Sequence, residues 1–174
     1  QRWLPRINRL PNPSVEFDSN GDGKCDGWTA SDTEGLEWTR PCWGNLRVEG
    51  LFDINLGRRE SYAGARSLRI AAGETDRQWS SDSLPAAETA EVSVSGWVRC
   101  DGGALARLVV DWLDSAGRLI ASDAVSCDPC GPRWHEVRGE VRRPDSAVRV
   151  VLRCVTPAGS SGTAWFDDLV LTEQ

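Results

Sequence analysis

The densest run of side chains that could ligate a metal lies in NPSVEFDSNGDGKCDGW, residues 12–28. Asp18, Asn20 and Asp22 alternate, Gly23 permits a sharp turn, Lys24 offers a backbone carbonyl and Asp26 takes the next alternate position. This is the first half of an oxygen-rich calcium loop. A hard cation needs carboxylates and carbonyls converging from a flexible segment, and Ca2+ is the ion this spacing suits. The position where an EF-hand carries Glu is Thr29, and no flanking helices are readable, so the remaining ligands must come from elsewhere. The competing reading is an Asx-rich turn without metal.

Sulfur chemistry comes next. Cys25, Cys42, Cys100, Cys127, Cys130 and Cys154 are an even set that permits three disulfides, in any of fifteen connectivities, and secretion is the expected compartment. A zinc site would join the Cys127/Cys130 pair to Cys25 and Cys42, but the latter two are not a CxxC pair. A redox CxxC would need a helix N-terminus behind it, and CDPCGPRW, 127–134, supplies Pro and Gly. His135, the one histidine, argues against His-dependent general-base chemistry and His-rich metal sites.

The elements that position these residues read as strands. Short alternating or apolar runs at 48–56, 66–72, 77–84, 90–100, 105–113, 118–125, 134–142, 147–155 and 163–172 are separated by Gly, Pro, Asp and Ser clusters, and helical periodicity is nearly absent. Nine or ten strands in a chain of 174 residues predict an all-β domain built as a two-sheet sandwich. DSAG (114–117), RPDS (143–146) and AGSSG (158–162) are the expected turns.

Alternation assigns faces. Val92, Val94, Val98 and Cys100 share the core phase of one run, and Val148, Val150, Leu152 and Cys154 that of another. This predicts a Cys100–Cys154 bridge between neighbouring strands, with Cys25–Cys42 tying the N-terminal loops and Cys127–Cys130 closing a tight turn. Val137 and Val141 point inward in WHEVRGEV. Trp97, Arg99, Trp134 and Arg138 fall in outward phase, and Trp79 alternates with Ser81 and Ser83 as a third outward ring.

Charge narrows the partners. The net charge is −6, and 19 Arg with one Lys are interleaved with Asp and Glu, so no basic face suits a nucleic acid. No apolar run is long enough for a membrane helix. The chain begins at Gln1 and contains no Met, which reads as a start and any export signal having been removed.

NPSVEFDSNGDGKCDGW, SYAGARSLRI (61–70), SGWVRCDGG (95–103), VDWLDSAGRLI (110–120), Trp134 opening a strand and AWFDDLVL (164–171) occur in an order that resembles bacterial carbohydrate-binding modules related to the cellulose- and xylan-binding domains of secreted glycoside hydrolases and polysaccharide lyases. The resemblance covers residues 11–172. It implies a jelly-roll β-sandwich of two antiparallel sheets, and a structural Ca2+ that joins the N-terminal segment to the last strand through Glu16 and an Asp of Asp167-Asp168, leaving the Asp18–Asp26 loop as a second site. It also implies a polysaccharide or cell-surface glycan as partner, held by aromatic rings lying flat on sugars. Among nine Trp, the outward Trp97, Trp134 and Trp79, with Arg99 and Arg138, are the candidates; framework packing is the alternative role for such rings.

Carboxylates at Glu16, Glu60, Asp111, Asp114, Asp167 and Asp168 have calcium, turn or ion-pair explanations, and no nucleophile–base pair or phosphate loop is visible, so a non-catalytic role is expected. The expected domains are an N-terminal extension, 1–10, and a sandwich, 11–174. A second reading, an extracellular structural subunit, rests on that extension: Trp3, Leu4 and Ile7 could dock on a second copy and give homo-assembly, unless the segment folds back on its own domain.

Overall fold

The computed structural model describes residues 7–32, 34–39, 61–127 and 130–173. Among these, all regular structure is strand: β1 (Trp28–Ala30), β2 (Leu36–Trp38), β3 (Leu68–Ala71), β4 (Arg77–Ser81), β5 (Leu84–Pro85), β6 (Glu91–Asp101), β7 (Ala106–Leu113), β8 (Leu119–Cys127), β9 (His135–Arg142), β10 (Arg149–Thr156) and β11 (Thr163–Glu173). Eight of the nine expected runs contain these strands; the run 48–56 lies outside the described residues. The short β1 and β2 were not expected, because three residues carry no measurable alternation.

Two antiparallel sheets result. One has the order β1-β4-β10-β7-β8 with β5 also on β10, and the other β2-β3-β11-β6-β9. Apart from β2–β3, β4–β5 and the β7–β8 hairpin, successive strands lie in opposite sheets, so the chain repeatedly crosses the core, as in a jelly roll. Pleating drives this arrangement. In β6, Val92, Val94, Val98 and Cys100 are buried while Ser93, Trp97 and Arg99 are not, and β10 repeats the pattern with Val150, Leu152 and Cys154. Val148, expected in that row, precedes β10 and is 48% exposed. Trp112 and Phe166 fill the centre with Leu68, Leu108 and Leu152. Gly96 faces inward, where a Cβ would come within 2.7 Å of the Leu169 side chain. The hairpin turn closes at Gly117, whose φ of 77° is one that glycine adopts without strain.

The cysteine pairing differs from expectation. Cys100 is bonded to Cys130, with Cα atoms 5.4 Å apart, so neither Cys100–Cys154 nor Cys127–Cys130 forms. Phase placed Cys100 and Cys154 correctly in the core but could not say that β6 and β10 belong to different sheets. Cys154 lies in the centre of the sandwich, where burial pushes its thiol well above the ordinary range. The Cys25–Cys42 bridge cannot be placed, since Cys42 lies outside the described residues.

Of the N-terminal extension, Trp3 and Leu4 lie outside the described residues. Residues 8–10 run along β11 of their own domain: Arg9 N–H donates to Leu171 O at 2.9 Å, Asn8 Nδ2 donates to Leu169 O at 2.8 Å, and Leu10 is buried. Arg9 also pairs with Glu173. This part of the extension folds back on its own domain, and only Ile7 projects, 74% exposed.

Candidate functional site

The sandwich presents two outer faces. On the five-stranded sheet, register aligns Glu37, Arg69, Trp165 and Arg99 in one row, with Asp167, Trp97 and Glu136 in the next. Asp167 is fully buried because the 61–66 loop folds over it: its Oδ2 accepts the Tyr62 N–H at 2.7 Å and the Ala63 N–H at 3.0 Å, and its Oδ1 accepts the Asp168 N–H at 2.7 Å. Burial pushes the Asp167 carboxyl up to about 7 against the pull of these N–H donors. Glu16 holds the other end of the loop, its Oε1 accepting Ala65 N–H at 2.8 Å and Arg66 N–H at 2.9 Å. Between them Gly64 has φ 60°, and a Cβ there would strike the Glu16 carboxylate.

That loop sets Tyr62 flat on Trp97, centroids 3.7 Å apart and planes 8° from parallel, with Trp134 tilted at 6.2 Å from Tyr62. Arg99 lies 4.7 Å over Trp165, and Arg138 pairs with Glu136 at 2.8 Å. Trp97 is therefore outward, as its phase requires, but one ring face is already occupied. Trp79 is a correction: it is buried at 7% exposure, and its Nε1 donates to Arg69 O at 3.3 Å. Trp79 and Ser81 share a phase, and that phase is the inward one, since Ser81 is buried too.

The face of the six-stranded sheet is different. Register lays out four rows across β4, β10, β7 and β8: Gln78, Val155, Arg107, Ser126; Ser80, Arg153, Val109, Ala124; then Val151, Asp111, Ser122 without a β4 member; and Arg149, Leu113, Leu119. In the middle Arg153 grips Asp111 with two contacts, Nη2 to Oδ1 at 2.8 Å and Nε to Oδ2 at 2.6 Å. Its Nη1 donates to Gln78 Oε1 at 2.7 Å, and Ser122 donates to Asp111 Oδ1 at 2.6 Å. Thr29, Ala124 and Ser126 flank this network as exposed small side chains. Val109 and Val155 are buried although they stand in these outward rows, so the surface left to a ligand is the fixed donors and acceptors beside half-buried Val151, a mixture that suits the hydroxyl and C–H surface of a sugar ring. Trp counting missed these residues; the available signal was the outward phase of Arg149 and Arg153.

The 18–26 loop is laced by its own backbone. Asp18 accepts from Asp22 N–H at 3.0 Å and Gly23 N–H at 2.8 Å, Asn20 from Asp22 N–H at 3.0 Å, Asp22 from Lys24 N–H at 2.9 Å, and Asp26 from Ser19 N–H at 2.8 Å. Hydrogen bonds from Ser19, its side chain first and its backbone N–H second, hold the Asp26 carboxyl below the usual range. The Asn20 and Asp22 bonds are Asx turns, the Asp18 and Asp26 bonds close the loop over longer spans, and further carboxylate lone pairs are left unused. Asp167, Asp168 and Glu16 are not in this loop: Asp167 and Glu16 bind opposite ends of the 61–66 segment, Asp168 takes φ 47° at the bulge of β11, and the three carboxylates do not converge within 4.8 Å of one another. The donors at both places are hard oxygens of the kind Ca2+ takes, and the buried charge of Asp167 is one that a cation would relieve.

No protein-family model and no curated protein matches the chain. Solved structures do. The enzymatically active domain of bacteriophage CBA120 tailspike protein 4 superposes with TM-score 0.65 at 14% identity, over 95% of this chain and 21% of that one. A family 16 carbohydrate-binding module gives 0.62 at 12% identity over 95% and 100%, and TmCBM61, solved in complex with β-1,4-galactotriose, gives 0.57 at 15% over 97% and 99%. The chain thus spans about a fifth of the tailspike domain but the full length of these modules. It has the jelly-roll sandwich fold of carbohydrate-binding modules. At these identities the likeness establishes the fold and nothing finer.

Proposed function

We propose that the chain is a non-catalytic carbohydrate-binding module that works outside the cell and holds polysaccharide on the outer face of its six-stranded sheet. The observation that carries this reading is the Arg153–Asp111–Gln78–Ser122 network on the outer face of the six-stranded sheet. The network is already organised, so little side-chain entropy is lost when it turns its remaining donors to sugar hydroxyls. Arg107, Arg149 and Arg153 against Asp111 leave this face positive in a chain of net charge −6, which favours glycans carrying carboxylates. The Cys100–Cys130 disulfide supports an extracellular setting. Ca2+ at Glu16, Asp167 and Asp168 would pin the 61–66 loop, with the Asp18, Asn20, Asp22, Lys24 and Asp26 loop as a second site.

A second reading keeps the glycan on the other face, with Trp134, Arg99 and Arg138. It is favoured by Tyr62, which covers Trp97 yet remains 38% exposed and could itself offer a ring.

Affinity electrophoresis through gels containing galactan, xylan, pectate or alginate tests both. Arg153→Ala should remove the retardation and Trp134→Ala should leave it. The reverse pattern would move the site to the aromatic face, and retardation by none of the glycans with the native chain would count against the module reading.

A further inference from the structure

Cys100, Cys127, Cys130 and His135 converge where β8 leaves the six-stranded sheet and the chain crosses to β9. Cys100 is the last inward residue of β6 and Cys127 the last residue of β8, so each sheet delivers one sulfur to the same end of the sandwich. Cys130 lies in the crossing, and His135 opens β9 opposite Val98, two residues from Cys100. The Cys127 and Cys130 sulfurs and a His135 ring nitrogen lie within 4.8 Å of one another, and Cys100 is bonded to Cys130. Cys127 Sγ is 2.5 Å from His135 Nε2. On the far side of the ring His135 Nδ1 is 3.0 Å from Arg133 O, so a proton on Nδ1 donates to that carbonyl and the Nε2 lone pair is turned toward the sulfurs. A carbonyl fixing the tautomer in this way is the usual support of a metal-bound histidine. The Cys100 N–H donates to Gly131 O at 2.8 Å and ties the crossing to β6.

We propose that the reduced chain holds one Zn2+ at Cys100, Cys127, Cys130 and His135. Three thiolates and an imidazole complete a closed tetrahedral site, and sulfurs each about 2.3 Å from zinc sit roughly 3.8 Å apart, within the spread seen here. Sequence spacing offered Cys25 and Cys42 as companions of the CxxC pair; the topology supplies Cys100 and His135 instead. The disulfide and the metal exclude one another. A dithiol reduces Cys100–Cys130 by passing two electrons and two protons to its sulfurs and becomes a cyclic disulfide. The three thiols then release three protons as Zn2+ binds, with His135 remaining neutral. The ion would link the two sheets at the point where the disulfide now links β6 to the crossing.

The full chain, reduced with dithiothreitol, freed of it by gel filtration under nitrogen and given Zn2+, should carry one zinc per chain by elemental analysis, while the oxidised chain carries none. Co2+ in place of zinc should give thiolate charge-transfer and tetrahedral ligand-field bands, which reads the site on the unmutated chain. Cys127→Ser and His135→Ala should each cut zinc retention at least tenfold against a competing chelator, and Cys154→Ala should not. Zinc that survives both substitutions, octahedral Co2+ spectra, or a reduced chain that takes up no zinc, folded or not, would overturn the proposal.

Discussion

The two outer faces of the sandwich are built from the same pleat and teach opposite lessons about exposed side chains. On the five-stranded sheet the large rings are spent on the molecule itself: Tyr62 stacks on Trp97, Arg99 on Trp165, and a buried Asp167 fastens the loop that brings Tyr62 there. On the six-stranded sheet no Trp occupies the outward rows among the described residues, and its half-buried charges are paired with one another along the surface. Aromatic content therefore does not mark the open face. A ring's binding surface counts only if nothing in the chain already lies on it.

The largest expected effect that would break this comparison is on binding. Asp111→Ala leaves Arg153 without its carboxylate partner and should weaken glycan affinity by about tenfold or more, read by calorimetry on the best-retarding glycan, because charge-assisted hydrogen bonds are worth roughly 1.5–3 kcal/mol. An unchanged affinity would empty the polar face of its role. Next comes stability. Trp97→Ala removes a half-buried ring and its stack with Tyr62, and should cost roughly 2–3 kcal/mol in urea unfolding while leaving affinity within about twofold. A loss of affinity with unchanged stability would make the aromatic face the binding face.

Asp167 gives a smaller effect that depends on pH. Its folded-state value is raised, to about 7 against 3.8, so in the metal-free chain its contribution is fully present below about pH 4 and is lost as pH rises through about 7. Melting temperature in chelator should therefore fall between pH 5 and 8, added Ca2+ should restore it, and Asp167→Asn should flatten the profile. A rise over that interval in chelator would show that the carboxyl is not desolvated as described. The smallest expected change is for Gln78→Ala, which deletes one acceptor from Arg153 and should weaken binding only about two- to threefold by calorimetry.

Much of the fold was legible because the strand period is short and local. Val92 to Cys100, Val137 with Val141, and Val150 to Cys154 declare their faces within a few residues, and Gly117 marks its turn. The site was less legible. Trp79 shows why: alternation fixes which residues share a face but not which face is the core, and a ring between serines reads either way.

The sequence by itself determined the all-β class, the alternating core and the turns, since each follows from residue type and near-neighbour spacing. Only the tertiary structure decided that β6 and β10 lie in opposite sheets, that Cys100 therefore meets Cys130 rather than Cys154, that a loop covers Trp97 with Tyr62, and that Arg153 reaches across the sheet to Asp111. The reason is physical: pairing between strands far apart in the chain depends on how the crossovers are threaded, and no local pattern encodes that order.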